Sequence, residues 1–173
     1  MRFLDAYKKV NDALEWLLVA FTGVLILVIV AIPFAAAVVR YVTGEGYSWL
    51  AEFPPQIVPW VVFPLLGVVL RHDGHIAVDV LPHYVKGRTL TLLRAAILGF
   101  CVLAALAFAV FGWNTVLFFR QLGQMSATEL EFPLWVLYVS YPLGFLLAAN
   151  FALESLLQEL AGTRAPRDAP AAE

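Results

Sequence analysis

The strongest constraint on this chain is where it carries no charge. No Asp, Glu, Lys or Arg lies between Glu15 and Arg40, Glu52 and Arg71, Arg94 and Arg120, or Glu131 and Glu154. The gaps leave 24, 18, 25 and 22 residues (16–39, 53–70, 95–119 and 132–153). At about 1.5 Å per residue, roughly 17–25 apolar residues cross a hydrocarbon layer about 30 Å thick. All four gaps fit. Their apolar residues run continuously rather than alternating, which favours helices over barrel strands, and a helix satisfies its own backbone groups in lipid. The expected fold is an all-α integral membrane protein with four transmembrane helices, forming one domain over residues 1–160. The tail 161–173, rich in Ala and Pro, has nothing to bury and is expected to be disordered.

Composition removes the alternatives. The chain is 62% hydrophobic and 14% charged, against about 45–50% and 25% in soluble domains. One modest core cannot bury that surplus. Disorder requires the opposite composition, and a single cysteine, Cys101, excludes a disulfide scaffold. A net charge of −2 exerts no general pull on nucleic acid, and no nucleic-acid partner is expected. Lys8 and Lys9 before an apolar run ending near Ala35–Ala37 imitate a secretory signal. The run exceeds the roughly 7–15 residues of such a signal, so it reads as an uncleaved first helix.

Basic residues set the orientation. Arg2, Lys8 and Lys9 precede the first span; Arg71, Lys86, Arg88 and Arg94 follow the second; Arg164 and Arg167 follow the fourth. With four crossings these nine share one side, against only Arg40 and Arg120 on the other. Both termini are therefore expected in the cytoplasm. Trp16, Tyr41, Tyr47, Trp49, Tyr84 and Trp135 fall near span ends, where amphipathic rings prefer to sit.

Several features lie within the spans. Pro59 and Pro64 each remove an interior hydrogen bond from the second and should bend it. Ala95, Ala96, Gly99, Ala105, Ala109 and Gly112 give the third a small-residue face suited to close helix packing. Glu52-Phe53-Pro54 and Glu131-Phe132-Pro133 open the second and fourth spans about 80 residues apart. The similarity reads either as a parallel repeat of two hairpins or as the shared preference of Pro and Glu for a helix's first turn.

No span interior holds Asp, Glu, Lys, Arg or His; the mild polar side chains there include Thr22, Gln56, Asn114, Thr115, Ser140 and Asn150. Chains that move protons or bind coupling ions normally place Asp, Glu, His or Arg at depth. This weighs against an autonomous pump or exporter, and against a haem anchor, whose axial ligands project into the membrane. All three histidines, His72, His75 and His83, follow the second span. A membrane-bound redox or metal-binding subunit built on them is the alternative function. Their spacing matches no strong zinc signature, and no Ser or Cys nucleophile is near. No catalytic residue, metal or cofactor is expected. If the segment is helical, His75 and Asp79 pair at i and i+4.

Three stretches carry a specific resemblance: Trp49-Leu50-Ala51-Glu52; Arg71 with His75-Ile76-Ala77-Val78-Asp79-Val80-Leu81; and Gly123 through Thr128 and Pro133-Leu134-Trp135 to Tyr138 and Pro142-Leu143-Gly144. In this order, and with four spans, the chain resembles the DctQ-like small membrane subunit of tripartite ATP-independent periplasmic (TRAP) transporters over about residues 15–155. The family often has two adjacent acids after the Trp, whereas Glu52 is followed by Phe53. The resemblance implies a bacterial or archaeal cytoplasmic membrane, a stable large-subunit partner and a periplasmic substrate-binding protein. It also implies import of small organic anions, with substrate and sodium sites in the large subunit and a scaffold role for the small one. Trp49, Glu52, Arg71, His75, Asp79, Pro142 and Gly144 are then the assembly candidates.

Overall fold

The computed structural model describes residues 2–72, 88–129 and 131–162. His75, Asp79 and His83 lie outside them, as does most of the 161–173 tail. Five helices follow in order: α1 Arg2–Thr43, α2 Ser48–Arg71, α3 Arg88–Leu122, α4 Leu134–Tyr138 and α5 Ser140–Leu160. Four helical stretches are long and apolar enough to cross a membrane, with α4 and α5 forming one.

The helices overrun the charge-free gaps. α1 has 42 residues, about 63 Å at the α-helical rise, so its first turns extend well beyond one hydrocarbon thickness. It ends where Gly44 adopts φ 75° and its N–H closes back on the Arg40 carbonyl at 3.0 Å. This left-handed stop is open to glycine at no steric cost. α2 begins four residues later and stays helical through Pro54, Pro55, Pro59 and Pro64.

The fourth crossing differs from the expected 132–153 span. Phe132 and Pro133 precede the helix in an extended segment, with Met125 and Pro133 forming an antiparallel bridge. The helix then breaks at Val139. Pro142 has no N–H for the Tyr138 carbonyl four residues back. The Ser140 hydroxyl donates to the Leu137 carbonyl at 2.7 Å in the same turn, and Leu143 N–H resumes the ladder on Val139.

The helices stand in a row rather than a closed bundle. α5 packs between α2 and α3, and α1 packs along the far flank of α2, touching α5 only slightly. Neither α1 with α3 nor α2 with α3 forms a packed pair. The core is small and rich in alanine: Ala105 of α3 against Ala148 and Ala149 of α5, bordered by Leu66 and Phe145. A one-helix-thick row leaves both broad faces apolar. Large side chains such as Trp16 (73% exposed) and Phe100 (72%) point outward along it. Lipid tolerates such a surface because its tails are as apolar as leucine.

Candidate functional site

The end of the row where α1 starts and α5 ends gathers a network of polar side chains. Arg71, the last residue of α2, donates to three carboxylates: Asp12 and Glu15 of α1, and Glu154 of α5 at 2.9 Å. One planar guanidinium with five fixed donors can do this; a lysine ammonium cannot match the geometry. The other side of Glu154, only 2% exposed, accepts from the Asn11 amide at 2.8 Å. The Asn150 amide donates to Oδ1 of the Asn11 side chain at 2.9 Å, and the Tyr7 hydroxyl donates to the Asn150 side chain at 2.7 Å. Gln158 donates to Glu154 from the next turn. His72 meets Glu15 at 2.6 Å.

The apolar floor beneath is equally specific. The Arg71 guanidinium lies 5.5 Å from the Phe151 ring centre, and Phe151 is fully buried. That ring occupies the space left by Gly67, where a Cβ would come within 2.8 Å of it. One turn further along, Gly144 faces the Phe63 backbone, and a Cβ there would overlap the Phe63 carbonyl. Gly67 and Gly144 thus each let α2 and α5 approach closely, Gly67 against Leu147, Ala148 and Phe151 and Gly144 against Phe63. Charged residues that bracket three spans in the sequence therefore form one clamp joining α1, α2 and α5.

At the opposite end, Glu52 accepts from the Glu129 backbone N–H at 2.9 Å, and the Ser48 hydroxyl donates to the Glu129 carboxylate at 2.7 Å. These bonds tie the start of α2 to the loop between α3 and α4. Arg120 lies 5.9 Å from the Trp135 ring centre, closing the loop's other flank. Trp49 is 40% exposed at this end. Replacing Glu52 by Ala should speed amide exchange at Glu129 and its neighbours. The global stability loss should be no more than about 1 kcal/mol, because the bond is solvent-accessible. Hydrogen-exchange mass spectrometry in detergent reads both.

On the small face of α3, Ala105 and Ala109 are buried and Gly112 lies against Pro142, a Cβ there meeting its Cδ at 3.2 Å. Ala95 is half-buried, and Gly99 has nothing within 4 Å. The paired Glu52-Phe53-Pro54 and Glu131-Phe132-Pro133 segments differ in structure. The first is inside α2, whereas the second runs extended into α4. No group of three or more His, Cys, Asp or Glu among the described residues could hold a metal, and His72 pairs with Glu15.

Motifs, spans and packing converge on one assignment. The family model for tripartite ATP-independent periplasmic transporters, DctQ component, matches residues 29–162. The chain belongs to the DctQ family. It is accordingly the small membrane subunit type of a TRAP transporter, a multi-pass inner-membrane protein and a member of a transporter-component family rather than an enzyme class. Membership lends no support to the redox or metal alternative built on His72, His75 and His83. No curated protein and no solved structure gives a significant match.

The sequence singled out Arg71, Glu52, Pro142 and Gly144; it passed over Asn11, Asp12, Glu15 and Glu154. A signal for those was present: Asn11 and Glu15, like Asn150 and Glu154, sit four apart and so share a helix face.

Proposed function

We propose that this DctQ chain is the stationary scaffold of a sodium-coupled importer of small organic anions. A periplasmic binding protein delivers the substrate, and the large membrane subunit carries the substrate and sodium sites. The small subunit holds the non-moving part of that partner. Both termini lie in the cytoplasm, as nine basic residues against two favour, so the Arg71 clamp sits at the cytoplasmic surface.

The observation that carries this reading is the division of labour within the row. The span interiors lack Asp, Glu, Lys, Arg and His, and the charges bracketing three of them lock helices to each other at one end. Such a row is built to hold its shape. Its wide apolar faces are surfaces for a permanent membrane partner as much as for lipid. In mild detergent the chain should copurify with a much larger membrane subunit, and in vesicles alone it should give no substrate flux. Recovery as a lone monomer despite coexpression of that partner, or flux without it, would overturn the proposal.

A further inference from the structure

Between α1, α2 and α4 the row leaves an open groove of about 590 Å³, walled chiefly by Phe21 and Leu25, Phe53 and Trp60, and Val136. One lining residue is polar. Gln56, half-buried in α2, has no hydrogen-bond partner among the described residues, although its carboxamide offers two donors and an acceptor. It lies one turn inside Glu52, about 6 Å along the axis, within the charge-free span.

The prolines add acceptors to the same helix. Pro59 supplies no N–H to the Pro55 carbonyl, and Pro64 none to that of Trp60, so within the charge-free span α2 carries two carbonyls without their usual i+4 donors. Unmatched polar groups in hydrocarbon are costly. Acyl tails offer them nothing, and lipid ester groups belong at the level of the bracketing charges. A suitable occupant is apolar overall and presents a hydrogen-bonding side chain at the depth of Gln56.

We propose that this groove seats a transmembrane helix of the large partner subunit, with a hydroxyl or carboxamide side chain of that helix bonded to Gln56. The assignment rests on the scaffold reading above and adds the surface through which it acts. The outer face of α3 is the competing surface. It exposes Phe100, Leu103 and Phe111 together with the Asn114 carboxamide, while Thr115 there bonds back to the Phe111 carbonyl at 3.0 Å.

The test is photo-crosslinking of the assembled two-subunit complex in native membranes. The crosslinking side chain is placed at Leu25 or Val136 in the groove, or at Phe100 on α3. Groove positions should yield adducts with the large subunit and Phe100 should yield lipid adducts. Gln56→Leu should lower recovery of the copurified large subunit at least about threefold, the scale of one interhelical hydrogen bond, while the chain itself remains monodisperse. Large-subunit adducts from Phe100 with none from the groove would overturn the surface and leave the scaffold reading intact. Unchanged recovery with Gln56→Leu would overturn the role of the amide. Absence of large-subunit adducts from every position, together with failure to copurify, would overturn both readings.

Discussion

Replacing Arg71 by methionine should cost the folded chain about 3 kcal/mol or more, enough to remove most folded protein from the membrane. Methionine keeps much of the volume over Phe151, so the loss is electrostatic. Asp12, Glu15 and Glu154 would remain together with no guanidinium between them. Glu154 is the decisive member because it is almost wholly buried. Stripping the charged partner from a buried ion pair typically costs about 3–5 kcal/mol.

The neighbouring variants form a graded series. Arg71→Lys keeps the charge but loses the fork that reaches α1 and α5 at once, so it should fall in between. Asp12→Asn should cost no more than about 1 kcal/mol, because that carboxylate is half exposed and well solvated. Thermal unfolding in detergent, followed by size-exclusion chromatography, gives the order directly. If Asp12→Asn proved as damaging as Arg71→Met, the stabilising contact would be the α1–α2 pair alone and Glu154 would not be its centre.

The same residues show how far the sequence could be read. Charge marks the edge of hydrocarbon, and the four gaps accordingly fall almost wholly within the helices. Helix ends are a separate matter, set by hydrogen bonding and glycine, which is why α1 starts well before Glu15 and stops at Gly44. The break at Val139 was readable from Pro142 and its missing N–H, although the apolar run across it looked continuous. The clamp was harder to see. Glu15, Arg71 and Glu154 lie far apart in the chain, and only the row order α1–α2–α5–α3 brings them to one point. Row order depends on which small residues let which helices approach. The sequence marked one such face, on the third span, yet its Gly99 meets nothing within 4 Å, whereas Gly144, marked only as a family-motif residue, faces the Phe63 backbone.

That difference sets the second large effect. Gly144→Ala should destabilise the chain by about 2 kcal/mol, within the usual range for overpacking, and Gly144→Val by more. The added Cβ would fall on the Phe63 carbonyl and its carbon, which are backbone atoms of α2 and cannot rotate away as a side chain would. Relief requires α2 and α5 to separate. Their separation also loosens the Phe63–Tyr141 ring contact, centred 3.9 Å apart, and shifts Glu154 relative to Arg71. Gly99→Ala is the matched control. Its Cβ would enter open space, and alanine outranks glycine in a helix by up to about 1 kcal/mol, so the midpoint should hold or rise. Unfolding midpoints in one detergent should therefore move in opposite directions for the two variants, or move only for Gly144. In the assembled transporter Gly144→Ala should also weaken partner retention, because a row that has parted between α2 and α5 no longer presents the α1–α2–α4 groove in one fixed shape. Equal midpoints for the two variants would mean that the α2–α5 contact is loose enough to absorb a methyl group, and a scaffold role could not then rest on that contact.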